Sequence, residues 1–132
     1  MNPMPKCLYF GLALTLAACG DAPVPELDLT GKWKFRTMGE QDGYIQGSMK
    51  VGIDDTGAQT CKITVYMSEF GSAVESCHIS QHEGRIGITT EIISNSAGTW
   101  RPEVFDLTLV DDKLVGTLTK VTSYSVEFTK RP

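Results

Sequence analysis

The sequence predicts an all-β fold: eight short strands closed into an antiparallel up-and-down barrel. Three observations lead there. From Leu29 onward apolar residues recur with a period of two, the side-chain period of a strand, and not the 3.6 of a helix. Eight segments of strand length follow one another, separated by turn-forming residues. No stretch carries a convincing amphipathic helix; the nearest, Met67 to Val74, is too short and contains Gly71. Eight strands enclose an interior that side chains just fill, or that holds one small ligand, and closure removes the open edges of a flat sheet. A two-sheet sandwich is the competing arrangement.

The first strand is the clearest. In Thr30-Gly31-Lys32-Trp33-Lys34-Phe35-Arg36, residues Gly31, Trp33 and Phe35 share one face, while Lys32, Lys34 and Arg36 share the other. Such a segment is half buried with a wet outer face. Further strands are expected at about 44–53, 60–68, 74–82, 85–94, 103–110, 113–119 and 121–129. Turns are expected at Asp54-Asp55-Thr56-Gly57, Glu69-Phe70-Gly71, Glu83-Gly84, Asn95-Ser96-Ala97-Gly98 and Asp111-Asp112-Lys113. The alternation turns Gly31, Trp33, Phe35, Ile63, Val65, Phe105, Leu107, Leu109, Leu114, Gly116, Leu118, Val126 and Phe128 inward. Most are bulky, so the interior is expected to hold a small cavity or none.

The 132 residues amount to one domain. With 41% hydrophobic and 21% charged residues, a mostly disordered chain is excluded. The net charge of −4 and the absence of a Lys/Arg cluster argue against a nucleic-acid partner.

Residues 1–25 do not fit the strand pattern. Lys6 is followed by Cys7-Leu8-Tyr9-Phe10-Gly11-Leu12-Ala13-Leu14-Thr15-Leu16-Ala17-Ala18, an apolar run of 12 residues interrupted only by Thr15. A transmembrane helix needs about 20. A basic start, a short apolar stretch and small residues at the end read as a secretory signal. Leu16-Ala17-Ala18-Cys19 resembles the bacterial lipobox, in which lipid is attached to the Cys thiol and cleavage falls just before it. The resemblance implies a signal peptide over 1–18, a lipidated N-terminus and Pro-rich tether over 19–28, and a barrel domain over 29–132. Gly20 stands where Asp would retain such a protein at the inner membrane, so the implied site is the periplasmic face of the outer membrane. Removal of residues 1–18 takes away only Lys6 among the charges, leaving 11 − 16 = −5.

Of the four cysteines, Cys7 leaves with the signal and Cys19 takes the lipid, which leaves Cys61 and Cys77. An even pair in an oxidising compartment is expected to form one disulfide. A hairpin turning near Glu69-Phe70-Gly71 sets the two residues roughly opposite each other.

Gly31-Lys32-Trp33 at the start of the first strand resembles the G-x-W signature of the calycins, which include lipocalins, avidins and small bacterial metalloprotease inhibitors. That resemblance implies a barrel whose Trp33 packs at the closed end under a cation of the last strand, Arg131 or Lys130. Biotin binding is excluded, because only Trp33 and Trp100 are available to line a pocket. The inhibitor family is similar over more of the chain: Leu29 to Trp33, Cys61-Lys62-Ile63, Cys77, then Trp100-Arg101-Pro102 leading to Leu107-Thr108-Leu109. This chain differs in the extra strand-like segment at about 44–53, and its lipidated Cys19 would tether the end with which that family inhibits.

Other constellations are weaker. His78 and His82, four apart on one strand, stand about 13 Å apart, too far to share a metal without a bulge. Glu75 and Asp106 are candidate inward carboxylates with no partner evident in the sequence. No nucleophile elbow or phosphate-binding loop is present, so neither catalysis nor a metal or cofactor is expected. Trp100 and Arg101 sit in a long turn; Trp100 either caps one end of the barrel or, with Arg101, anchors a partner. Tyr44, Tyr66, Phe70 and Tyr124 either line a barrel mouth or fill the core. The expectation is a non-enzymatic, membrane-anchored protein that binds a small apolar ligand or a periplasmic protein at one end of the barrel. A metalloprotease inhibitor and a structural envelope protein without a pocket are the alternatives.

Overall fold

A computed structural model describes residues 25–67, 71–96 and 100–132. The signal segment, Cys19, the start of the tether and the turn residues Glu69, Phe70, Ala97 and Gly98 lie outside the described residues. Eight strands follow in order: β1 (Gly31–Thr37), β2 (Ile45–Ile53), β3 (Gln59–Met67), β4 (Gly71–His82), β5 (Arg85–Asn95), β6 (Val104–Val110), β7 (Lys113–Thr119) and β8 (Ser123–Lys130). Each pairs antiparallel with its sequence neighbour, and β1 pairs with β8, so the sheet closes into an up-and-down barrel, an architecture compatible with the calycin fold. The expected segments match these strands to within about three residues; the largest differences are β4, which starts earlier at Gly71, and β8, which starts later at Ser123. A short 3-10 turn, Gly39–Gln41, is the helical element among the described residues.

Alternation builds the core. Along β1 the outward Lys32, Lys34 and Arg36 are exposed, and Trp33, Phe35 and Thr37 are buried. The middle of the barrel is filled by aromatic rings. Phe35 stacks on Phe128 with centroids 4.9 Å apart, and Phe105 meets both edge-on at 5.6 and 5.3 Å. Ile45, Met49, Ile63, Val65, Ile86, Ile88, Leu107, Leu114 and Leu118 surround them, all fully buried. Opposite Leu107 the chain carries Gly116, where an added Cβ would stand 1.9 Å from the Asp106 carbonyl oxygen. At that point β6 and β7 leave no room for a side chain.

One inward assignment is corrected. Leu109 is 43% exposed. Pairing between β5 and β6 stops at Thr108, so Leu109 has β7 on one side and no strand on the other. Its hairpin partner Leu114 also pairs with Phe128 on β8 and stays buried.

Cys61 and Cys77 form a disulfide between β3 and β4, with Cα atoms 4.9 Å apart. The β3–β4 register runs to Lys62↔Ser76, so the bridge joins the next facing pair. Its atoms pack on the edge of the core.

The end of the barrel holding Gly31 and Lys130 is closed. Leu29 and Trp33 are buried there, and the Trp33 indole N–H donates to the Leu29 carbonyl at 2.9 Å. The Gln81 amide binds the Leu27 backbone twice, accepting from its N–H at 2.9 Å and donating to its carbonyl at 3.0 Å. The cation over Trp33 is Lys130, with Nζ 5.1 Å from the ring centroid and a 2.6 Å hydrogen bond to the Thr30 carbonyl. Arg131 is exposed, and its backbone N–H donates to the Lys32 carbonyl. The reason is register: Lys130 lies opposite Trp33, and Arg131 falls one residue beyond the end of β8. Gly31, at φ +131°, makes room for it, since a Cβ there would stand 2.8 Å from Lys130 Cε.

Candidate functional site

The opposite end of the barrel carries the site. There the β1–β2, β5–β6 and β7–β8 connections bring together side chains far apart in sequence. Tyr44 precedes β2, Met67 ends β3, Trp100 and Arg101 precede β6, Lys120 and Val121 follow β7, and Tyr124 lies on β8. Together they bound a mostly apolar cavity of about 300 Å³. The Tyr44 and Tyr124 rings form a tilted pair in its wall, with centroids 6.0 Å apart. Trp100, Arg101, Tyr44 and Tyr124, each singled out in the sequence, therefore share one hollow. The phenyl cluster beneath fills the waist of the barrel, which confines the hollow to this end.

A buried polar cluster supports the wall. Glu103, fully buried, accepts a 2.8 Å hydrogen bond from the Trp100 indole N–H and a 2.6 Å charged one from Lys120 Nζ, both at Oε2. Lys120 Nζ also donates to the Arg101 carbonyl and lies 4.5 Å from the Trp100 ring centroid. Three contacts thus fix Trp100 and Lys120 against each other. The Glu103 backbone N–H donates to the Thr90 hydroxyl at 2.8 Å, holding β6 to β5 at the rim.

Glu75 lies beside this cluster, fully buried, with no hydrogen-bond partner at either carboxylate oxygen among the described residues. Burial is the first cause that raises its pKa, to about 9, and the adjacent Glu103 adds to it, with Thr90 and Lys120 acting the other way. Glu75 is therefore protonated at neutral pH. Next to it the β4–β5 register slips: Glu75 faces Ile92 but Val74 faces Ser94, which leaves Ile93 as an extra residue on β5, 61% exposed. Such bulges bend a strand and re-aim its side chains.

The sequence expectation for Glu75 as an inward carboxylate holds, and the one for Asp106 does not. Asp106 stands between the inward Phe105 and Leu107, so it faces outward, where it pairs with Arg85. Glu103, its actual companion, went unnoticed in the sequence. Its parity with Phe105 and Leu107 was the available signal, hidden by its place just before the strand begins. His78 and His82 are exposed, His82 beside Glu83, and no group of three or more potential metal ligands forms among the described residues. Tyr66 lies outside the mouth, on the outer wall of a polar hollow bounded by Lys34, Arg36, Gln46 and Glu127.

The cavity has the composition of a binding site. It offers aromatic and aliphatic walls, two cations and a rigid buried support. Comparison with family models, curated proteins and solved structures finds no match to this chain.

Proposed function

We propose that this chain is a non-enzymatic, lipid-anchored binding protein of the cell envelope that holds a small ligand at the open end of its barrel. The observation that supports the binding reading is the convergence of Tyr44, Met67, Trp100, Val121 and Tyr124 on one hollow. Its volume of about 300 Å³ falls at the lower limit of ligand sites, roughly 300–1,000 Å³, which are likewise mostly apolar with a few placed polar groups. The envelope location is supported by the apolar run ending in Leu16-Ala17-Ala18-Cys19 and by the Cys61–Cys77 disulfide, a bond characteristic of oxidising compartments. The calycin-type G-x-W start, Gly31-Lys32-Trp33, fits the same picture of a barrel open at one end.

Titration with N-phenyl-1-naphthylamine, a neutral fluorescent aromatic, tests the site. Saturable binding at one site per chain is expected, weakened by Tyr124→Ala. Absence of saturable binding would overturn the reading. The anchor is tested separately: the Cys19→Ala chain is expected to leave the membrane fraction, and continued sedimentation with membranes would refute lipid attachment.

A further inference from the structure

We infer that the ligand held at the open end is a small amphipathic anion, with an apolar or aromatic body and one acidic group, whose charge is met by Arg101. This rests on the binding site proposed above and adds its charge preference.

The argument is a charge balance. The side chains bounding the hollow include two cations, Arg101 and Lys120, and no acid among the described residues. Lys120 is already matched by the buried Glu103, at 2.6 Å. Glu75 adds no negative charge, since burial beside Glu103 keeps it protonated. Arg101 is exposed, and its guanidinium has no hydrogen-bond or ion-pair partner among the described residues; the contact made by the residue uses its backbone carbonyl. Among the described residues that bound the hollow, this leaves one positive charge without a partner, beside Trp100, Tyr44 and Tyr124. A planar guanidinium presents paired donors that fit a carboxylate, sulfonate or phosphate.

The same residues argue against a cation. Aromatic walls attract cations, but the Trp100 ring already has the Lys120 ammonium 4.5 Å from its centroid. A second cation would meet both that charge and Arg101. A long ligand is also disfavoured, since Phe35, Phe105 and Phe128 fill the barrel below.

Two dyes with the same aromatic skeleton test the inference: 8-anilinonaphthalene-1-sulfonate and the uncharged N-phenyl-1-naphthylamine. At low salt the sulfonate is expected to bind roughly tenfold more tightly, the worth of one charge-assisted contact. The gap is expected to narrow as salt rises. Arg101→Gln, a change at an exposed side chain, should remove most of the difference by weakening the sulfonate far more than the neutral dye. Val121→Asp, also on the exposed rim, should weaken the sulfonate more than the neutral dye. Equal affinity for both dyes, or an Arg101→Gln chain that keeps the preference, overturns the anion inference and leaves the site standing. Failure of both dyes to bind saturably overturns the site itself.

Discussion

Glu75 and Glu103 meet inside the barrel with unequal partners. Lys120, Trp100 and Thr90 surround the Glu103 carboxyl, whereas both Glu75 oxygens lack a hydrogen bond among the described residues. Stability should respond to pH through this difference. Glu75 ordinarily loses its proton near 4.5 and in the folded barrel holds it up to about 9. Below 4.5 the group is protonated in both states and adds no pH dependence. Between the two values the folded chain keeps a proton that the unfolded chain releases, so stability falls as pH rises. A tenfold change in proton affinity is worth about 1.4 kcal/mol, so the fall across the window amounts to several kcal/mol. Glu75→Gln should flatten it. Melting temperatures at pH 5, 7 and 9 decide: parallel curves for the two proteins would contradict the account.

Reducing the Cys61–Cys77 bridge, or replacing both residues with Ser, should cost about 3 kcal/mol, the chain-entropy value for a loop of roughly 15 residues. Denaturant unfolding with and without reductant measures it. Mass spectrometry without reduction should find no free thiol at either position.

The closed end depends on Lys130 as well as Trp33. Lys130→Met keeps the aliphatic stem over the indole while removing the ammonium and its bond to the Thr30 carbonyl. A loss of about 1 kcal/mol is expected. Trp33→Ala, which also empties a buried site, should cost about 3–5 kcal/mol. If Lys130→Met is as stable as the parent chain, the cation contributes nothing measurable here.

Gly116→Ala is expected to be harmful although Ala is the smallest possible addition. The new Cβ would stand 1.9 Å from the Asp106 carbonyl oxygen and 2.9 Å from Leu107 Cα, both backbone atoms of the neighbouring strand. Overpacking of this kind costs about 1–3 kcal/mol. An unchanged unfolding midpoint would show that β6 and β7 separate more readily than their geometry suggests.

The barrel was legible in the sequence because burial on one face leaves a record every second residue. Trp33 and Phe35 against Lys32, Lys34 and Arg36 is that record at its clearest. The disulfide was legible for the same reason, since a hairpin fixes which residues face each other. What escaped depends on neighbours that periodicity does not encode. Leu109 has the right parity but no β5 partner beside it. The cation over Trp33 is decided by a one-residue register between β1 and β8, a non-local fact. Tyr44, Trp100, Arg101 and Tyr124 were recognisable individually as site material, but their meeting at one end follows from closure of the barrel. The Glu103 support was missed because its partners come from elsewhere in the chain, Lys120 from just beyond β7 and Thr90 from the middle of β5.

The two ends of this molecule are not equivalent, and that asymmetry limits what it can do with a guest. Trp33 seals the floor and three phenyl rings plug the waist. The result is a cup, not a pipe. In the proposed reading, a guest would enter and leave by the same lip, to be taken up, kept and handed over there and not conducted from end to end. Its chain enters at the sealed floor, through Leu27 and Leu29, so a tether pulling on that side would leave the lip free to meet whatever fills or empties it.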